Sequence, residues 1–114
     1  MSNHFNVNSA RSGDKATILC SGELDIAAAP VMERAFDELL SDPPAMLELD
    51  WSRLTFMDST GIRLLLMIVK KSGAIGVDLI WKLSEPAQRA LDAVGIHDGL
   101  LRQLGEQDAG PGED

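Results

Sequence analysis

Asp58-Ser59-Thr60-Gly61-Ile62-Arg63-Leu64-Leu65-Leu66-Met67-Ile68-Val69-Lys70-Lys71-Ser72-Gly73 decides the fold of this 114-residue chain. Seven of the eight residues from Ile62 to Val69 are apolar, and so dense a run fits a buried strand or a buried helix equally well. The flanks separate the two. Asp58, Ser59 and Thr60 offer side-chain acceptors to the free amides of a helix N-terminus. Lys70 and Lys71 suit the negative end of a helix dipole, and Gly73 reads as a stop. The segment is therefore expected to be a helix over about residues 60–72. At about 100° per residue, Ile62, Leu65, Leu66 and Val69 centre on the side facing a sheet, while Arg63, Lys70 and Lys71 fall on the far side. Met67 lies between Arg63 and Lys71, with Leu64 just beyond. These two are either covered by a neighbouring helix or form an apolar patch rimmed by cations, the kind that marks partner surfaces.

Outward from this helix the chain alternates strand and helix signals. Residues 4–8 alternate polar and apolar, as a short half-buried strand does. Arg11-Ser12-Gly13-Asp14 reads as a turn, and residues 15–21 as a second strand, ended by Gly22-Glu23-Leu24-Asp25. Residues 29–40 carry Val31, Met32, Ala35, Phe36, Leu39 and Leu40 at one-face helical spacing, with Pro30 in the tolerant first turn. Residues 45–50 form a third strand and 77–83 a fourth. Ser84-Glu85-Pro86 opens a helix that Gly95 closes, and Asp98 is expected to cap a short last one. The fold class is thus α/β: one domain over residues 1–104, with a mainly parallel four-stranded sheet, an antiparallel N-terminal edge strand and three to four helices. From Gly105 the composition turns to Gly, Pro and acid. Glu106, Asp108, Glu113 and Asp114 carry half of the net charge of −8, so residues 105–114 are expected to be a disordered acidic tail.

Composition excludes several functions. With 10 Lys and Arg against 18 Asp and Glu, the chain lacks the cationic footprint of a nucleic-acid binder or of a protein that adheres to anionic membranes. Its longest apolar run, Leu64 to Val69, is far short of the ~20 residues that span a bilayer. The N-terminus shows no signal peptide, and Cys20 is alone, which points to the cytoplasm. Two His and one Cys give no metal-ligand spacing, and no phosphate loop or dinucleotide fingerprint is present, so neither metal nor cofactor is expected. Cys20 reads as a buried small side chain, and Trp51 and Trp81 as packing residues.

The remaining candidate for chemistry is Ser59. Asp58 or Ser59 is a helix cap, or Ser59 is a functional hydroxyl; the pattern leaves both readings open. A serine hydrolase needs a base beside the nucleophile and a group to orient it. Only His4 and His97 are available, at opposite ends of the chain, and the nucleophile elbow Gly-x-Ser-x-Gly is missing. An enzyme is therefore not expected.

Two motifs in order, Gly22-Glu23-Leu24-Asp25 after the second strand and Phe56-Met57-Asp58-Ser59-Thr60-Gly61 before the apolar helix, resemble the STAS domain, and more narrowly the bacterial anti-sigma factor antagonists. The resemblance spans roughly residues 15–104. It implies a phosphorylation switch in transcription and stress regulation. Ser59 aligns with the phosphoacceptor. The unphosphorylated protein binds an anti-sigma factor, commonly an ATP-dependent serine kinase, and so frees a sigma factor. A metal-dependent phosphatase of the PP2C type restores the switch. Asp25 matches an acidic residue that contributes to partner binding. Asp58, Thr60, Arg63, Met67 and Lys70 complete the expected partner surface, with Thr60 a candidate second phosphoacceptor. Two positions depart from the pattern. Ala28 stands where the family has a capping Thr, a loss of about 0.5–2 kcal/mol, and Arg53 replaces a turn Gly near the switch. The alternative is a STAS subunit of a membrane transport complex that does not switch and needs no phosphoacceptor.

Overall fold

The computed structural model describes residues 4–107. The order is β1 (Asn6–Ser12), β2 (Lys15–Leu24), α1 (Ala29–Leu40), β3 (Met46–Met57), α2 (Ser59–Ala74), β4 (Asp78–Leu83), α3 (Glu85–Ala93) and α4 (Asp98–Gln107). The sheet runs β1-β2-β3-β4; β1 is antiparallel to β2, and the other pairs are parallel. This is the expected α/β architecture, with four helices.

Burial alternates along the sheet. Ala16, Ile18 and Cys20 of β2 and Leu47, Leu49 and Trp51 of β3 are fully buried, while Thr17, Leu19, Glu48 and Asp50 between them are half-buried on the opposite face. Phe36 and Met32 of α1, Leu64, Leu65 and Ile68 of α2, and Leu91 and Leu101 from α3 and α4 complete the core. Each such aliphatic side chain contributes about 1.5–3 kcal/mol on burial. The buried side of α2 centres on Leu64, Leu65 and Ile68, not on Ile62 and Leu66, which are half-buried. α4 and α1 pack beside α2 as the sheet packs beneath it, so Leu64 is covered.

Several boundaries differ from the sequence reading. β1 runs to Ser12 because the hairpin turn is only two residues, with Ser12 paired to Lys15 and Gly13 at φ +60°. β2 continues through Gly22, at φ +95°, to Leu24. A side chain at Gly22 would collide with the main chain of His4, which crosses it. β3 extends past Asp50 to Met57 because two register shifts against β2 let it keep pairing where its alternation breaks. Gly73 lies inside α2; the positive φ that ends the turn beyond it belongs to Gly76. His97, not Asp98, caps α4, its Nδ1 accepting from Leu100 N at 3.2 Å. Asp98 instead accepts from Trp81 Nε1 at 3.2 Å, and Arg102 lies 5.2 Å over the Trp81 ring, clamping α4 to β4.

The expected tail boundary also moves. Residues 105–107 belong to α4, and a side chain at Gly73 would overlap the main chain of Gly105, whose carbonyl carbon would lie 2.8 Å from it. The remainder of that expectation falls on residues 108–114, outside the described residues.

On the outer face, Glu48 of the central strand sits between Lys15 of β2 at 3.1 Å and Lys82 of β4 at 2.9 Å. Hydrogen bonds from Lys82 and then Lys15 hold the Glu48 carboxyl below its usual range. A lowered folded-state pKa contributes stability above the unfolded carboxyl pKa, and that contribution is lost as pH falls through the folded value. Glu48→Gln is therefore expected to be less stable than the parent near neutral pH, with the difference fading as pH drops below ~4 in urea titrations. Gly73→Ala is expected to lower stability by about 1 kcal/mol, although the same change at an exposed helix site raises it by a similar amount; the urea midpoint checks the sign.

Candidate functional site

The parallel strands β2 and β3 end side by side. Asp58 N donates to Leu24 O at 3.5 Å, so the loop after β2 and the start of α2 share one end of the sheet. Asp25 orders that loop: its Oδ1 accepts from Ala27 N at 3.1 Å and Ala28 N at 3.2 Å, while its carbonyl accepts from Ala28 N and Ala29 N. Ala28 makes no side-chain cap bond, and its methyl group is buried. Asp25 thus supplies the acceptors at the entry to α1, which offsets the missing Thr. It also holds Ile26 outward, 76% exposed.

Asp58 is the N-cap of α2. Its backbone is extended, its Oδ1 accepts from Thr60 N at 2.9 Å, and its carbonyl accepts from Gly61 N at 3.0 Å. Gly61 follows because its missing side chain leaves room for Met57 Sδ, which would lie 2.7 Å from a Cβ there, and for Leu24 Cδ2 at 3.2 Å. The first turn of α2 is thereby seated on the two strand ends. Ser59, the first helical residue, is exposed. The cap role and the exposed hydroxyl thus fall to different residues.

Of the predicted partner-surface residues, Arg63 and Lys70 are exposed, Met67, Asp25 and Asp58 are half-buried, and Thr60 is only 6% exposed. The surface expectation for Thr60 therefore gives way to a packing role: its side chain sits under the first turn, covered by the body of the domain. Ser59, Arg63, Met67 and Lys70 follow one side of α2, three or four residues apart. Arg63 and Lys70 form no salt bridge among the described residues, whereas Arg11, Lys15, Lys82 and Arg89 do. Arg53 is exposed on the β3 extension, in register with Ser21.

Two side chains at this end escaped the sequence reading. Phe56, 47% exposed, is in register with the exposed Glu23, and Ile26 projects from the adjoining loop; Val31, 41% exposed, adds to the same end from α1. Periodicity gave no signal for them, because Phe56 lies where the alternation of β3 breaks and Ile26 in the short loop before α1. Together they place exposed apolar side chains on the strand that leads into α2 and on the loop and helix beside it.

Neither histidine bonds to Ser59. His97 caps α4, and the His4 main chain passes over Gly22. Among the described residues, no three His, Cys, Asp or Glu side chains could hold a metal ion. Burial pushes the Cys20 thiol up to about 12, and its Sγ donates to Met32 Sδ at 3.4 Å inside the core. A surface cleft lies between the C-terminal part of α2, β4 and α4, at the opposite end of α2 from Ser59.

These placements separate two neighbouring substitutions. Asp58→Ala removes the cap and is expected to cost about 0.5–2 kcal/mol. Ser59→Ala, at an exposed site, should stay within about 0.5 kcal/mol of the parent. Parallel urea denaturations check both.

Comparison with known proteins agrees with this arrangement. The chain is 33% identical over 58 residues to the anti-sigma-F factor antagonist RsfB of Mycobacterium tuberculosis, in two strains, a match covering 51% of this chain and 48% of the relative. The match thus spans about half the length of these relatives. The crystal structure of an anti-sigma factor antagonist from Mycobacterium paratuberculosis superposes with a TM-score of 0.72 at 25% identity, covering 80% of this chain and 78% of that one. The anti-sigma factor antagonist SpoIIAA in its unphosphorylated form shares the fold, with a TM-score of 0.64 at 20% identity over 81% of each chain. A family model described as STAS domain matches residues 7–109, and with a match over that much of its length the chain belongs to the STAS domain family.

Proposed function

We propose that this protein is an anti-sigma factor antagonist of the cytoplasm, switched by phosphorylation of Ser59. The observation that carries the reading is the division of labour at the start of α2: Asp58 satisfies the helix amide, and the neighbouring residue, Ser59, is exposed. In the unmodified state this end of the domain, with Asp25, Arg63, Met67 and Lys70 around Ser59, docks an anti-sigma factor, which releases its sigma factor. The anti-sigma factor acts as a serine kinase. The γ-phosphoryl group of ATP passes to Ser59 Oγ, the hydroxyl proton leaves, and ADP departs. A PP2C-type phosphatase hydrolyses the ester and returns the hydroxyl.

The energetics favour such a switch. A phosphoserine adds about −1.5 to −2 charges near neutral pH. One like-charge pair at ~5 Å with an effective dielectric of ~20 costs about 3 kcal/mol before screening. The fold bears this easily because Ser59 is outside the core. An interface that must desolvate the phosphate does not. Affinity for the partner is expected to fall about a hundredfold.

Incubation with an anti-sigma serine kinase and ATP is expected to add one phosphate by intact-mass measurement, and Ser59→Ala should abolish it. The unmodified protein should then capture that kinase while the phosphorylated form does not. Equal capture of both forms overturns the switch.

A further inference from the structure

We infer that Arg63 captures the phosphate on Ser59 within the same chain, so that modification also removes the leading cation of the partner stripe; the inference rests on Ser59 being the modified residue. Ser59 and Arg63 are both exposed and one turn apart on α2. Residues four apart on a helix bring their Cβ atoms to about 5–6 Å. Helical side chains lean toward the N-terminus, which carries the Arg63 guanidinium back over the first turn.

The surroundings leave this pairing open. Arg63 has no carboxylate partner among the described residues, although acids outnumber bases in the chain. Two carboxylates at the strand ends are already bonded, Asp58 to Thr60 N and Asp25 to Ala27 N and Ala28 N. A phosphoserine brings three strong acceptor oxygens, and a guanidinium fork meets them in two parallel hydrogen bonds. The other charges at this end are exposed Glu23 on β2, exposed Arg53 on the β3 extension, and exposed Glu33 and Arg34 on α1, which packs beside α2. Glu23, Asp25 and Asp58 oppose the phosphate dianion. Arg63 is the α2 cation nearest to it in the chain.

The pairing gives the switch a second effect. The stripe of Arg63, Met67 and Lys70 offers a partner two cations flanking an apolar side chain. Once Arg63 turns to the phosphate, the end nearest Ser59 becomes anionic, and a partner matched to the cationic form loses an attraction as well as meeting a repulsion.

The test uses the full chain with phosphoserine placed at position 59 during translation, so neither kinase nor partner enters it. The second ionisation of the phosphate is followed by 31P NMR against pH. In the parent its pKa is expected to be lower than in Arg63→Gln by about 0.3 units or more, with Arg63→Lys in between. The difference should shrink in concentrated salt. Arg34→Gln and Lys71→Gln, exposed cations on α1 and at the far end of α2, should titrate as the parent does. Identical titration of the parent and Arg63→Gln overturns the inference. So does an equal shift in either control, which would mark a general field and not a pair. If the pairing is found but an anti-sigma factor binds both forms equally, the functional reading fails and the pairing stands.

Discussion

Asp58 accepts the Thr60 amide at 2.9 Å, and the arrangement of the functional end of this domain depends on that bond. A helix begins with four amides that lack an internal partner. Because the cap belongs to the residue before the helix, the first helical side chain has no structural duty and faces water. The seat beneath it is equally specific. Met57 and Leu24, the last residues of β3 and β2, occupy the space that a side chain at position 61 would take, so α2 starts close against the strand ends. A serine on a less firmly seated turn would be as accessible, but its neighbours would not be held in register with it.

The loop after β2 shows the same economy. Asp25 serves its own backbone, and by folding the loop tightly it turns Ile26 into solvent. The carboxylate that family resemblance assigns to partner contact is therefore also a local structural device. The two roles are compatible, since the bonds to Ala27 and Ala28 use the same oxygen, Oδ1. On the sheet's outer face, by contrast, the Glu48 carboxylate is bridged by Lys15 and Lys82. Charges held by partners within the chain contribute to the fold, whereas Arg63 and Lys70 have no carboxylate partner among the described residues.

Much of this was legible in the sequence. The dense run from Ile62 to Val69 with Asp58 before it and two lysines after it gave the central helix, and the alternation of strand and helix signals gave a parallel sheet. Reading failed where tertiary contacts override local pattern. Gly73 looked like a helix stop but marks the point where α2 meets the Gly105 backbone, and residues 105–107 looked like a tail but form the last turn of α4. The sequence reading ended β3 at Asp50, yet pairing continues to Met57 through two register shifts. Thr60 read as a candidate second phosphoacceptor after Ser59, and helix geometry turns it inward.

Local chemistry therefore determined which segments are helices and strands and their order, and narrowed the cap of α2 to Asp58 or Ser59, because caps, turns and hydrophobic period act over a few residues. Only the tertiary structure decided that Asp58 is the cap, which hydroxyl is exposed, that Ile26 and Phe56 face solvent, and which cations lack a carboxylate among the described residues. Those properties arise from elements brought together by burial of the shared core, and no short-range pattern encodes what a residue's distant neighbours leave uncovered.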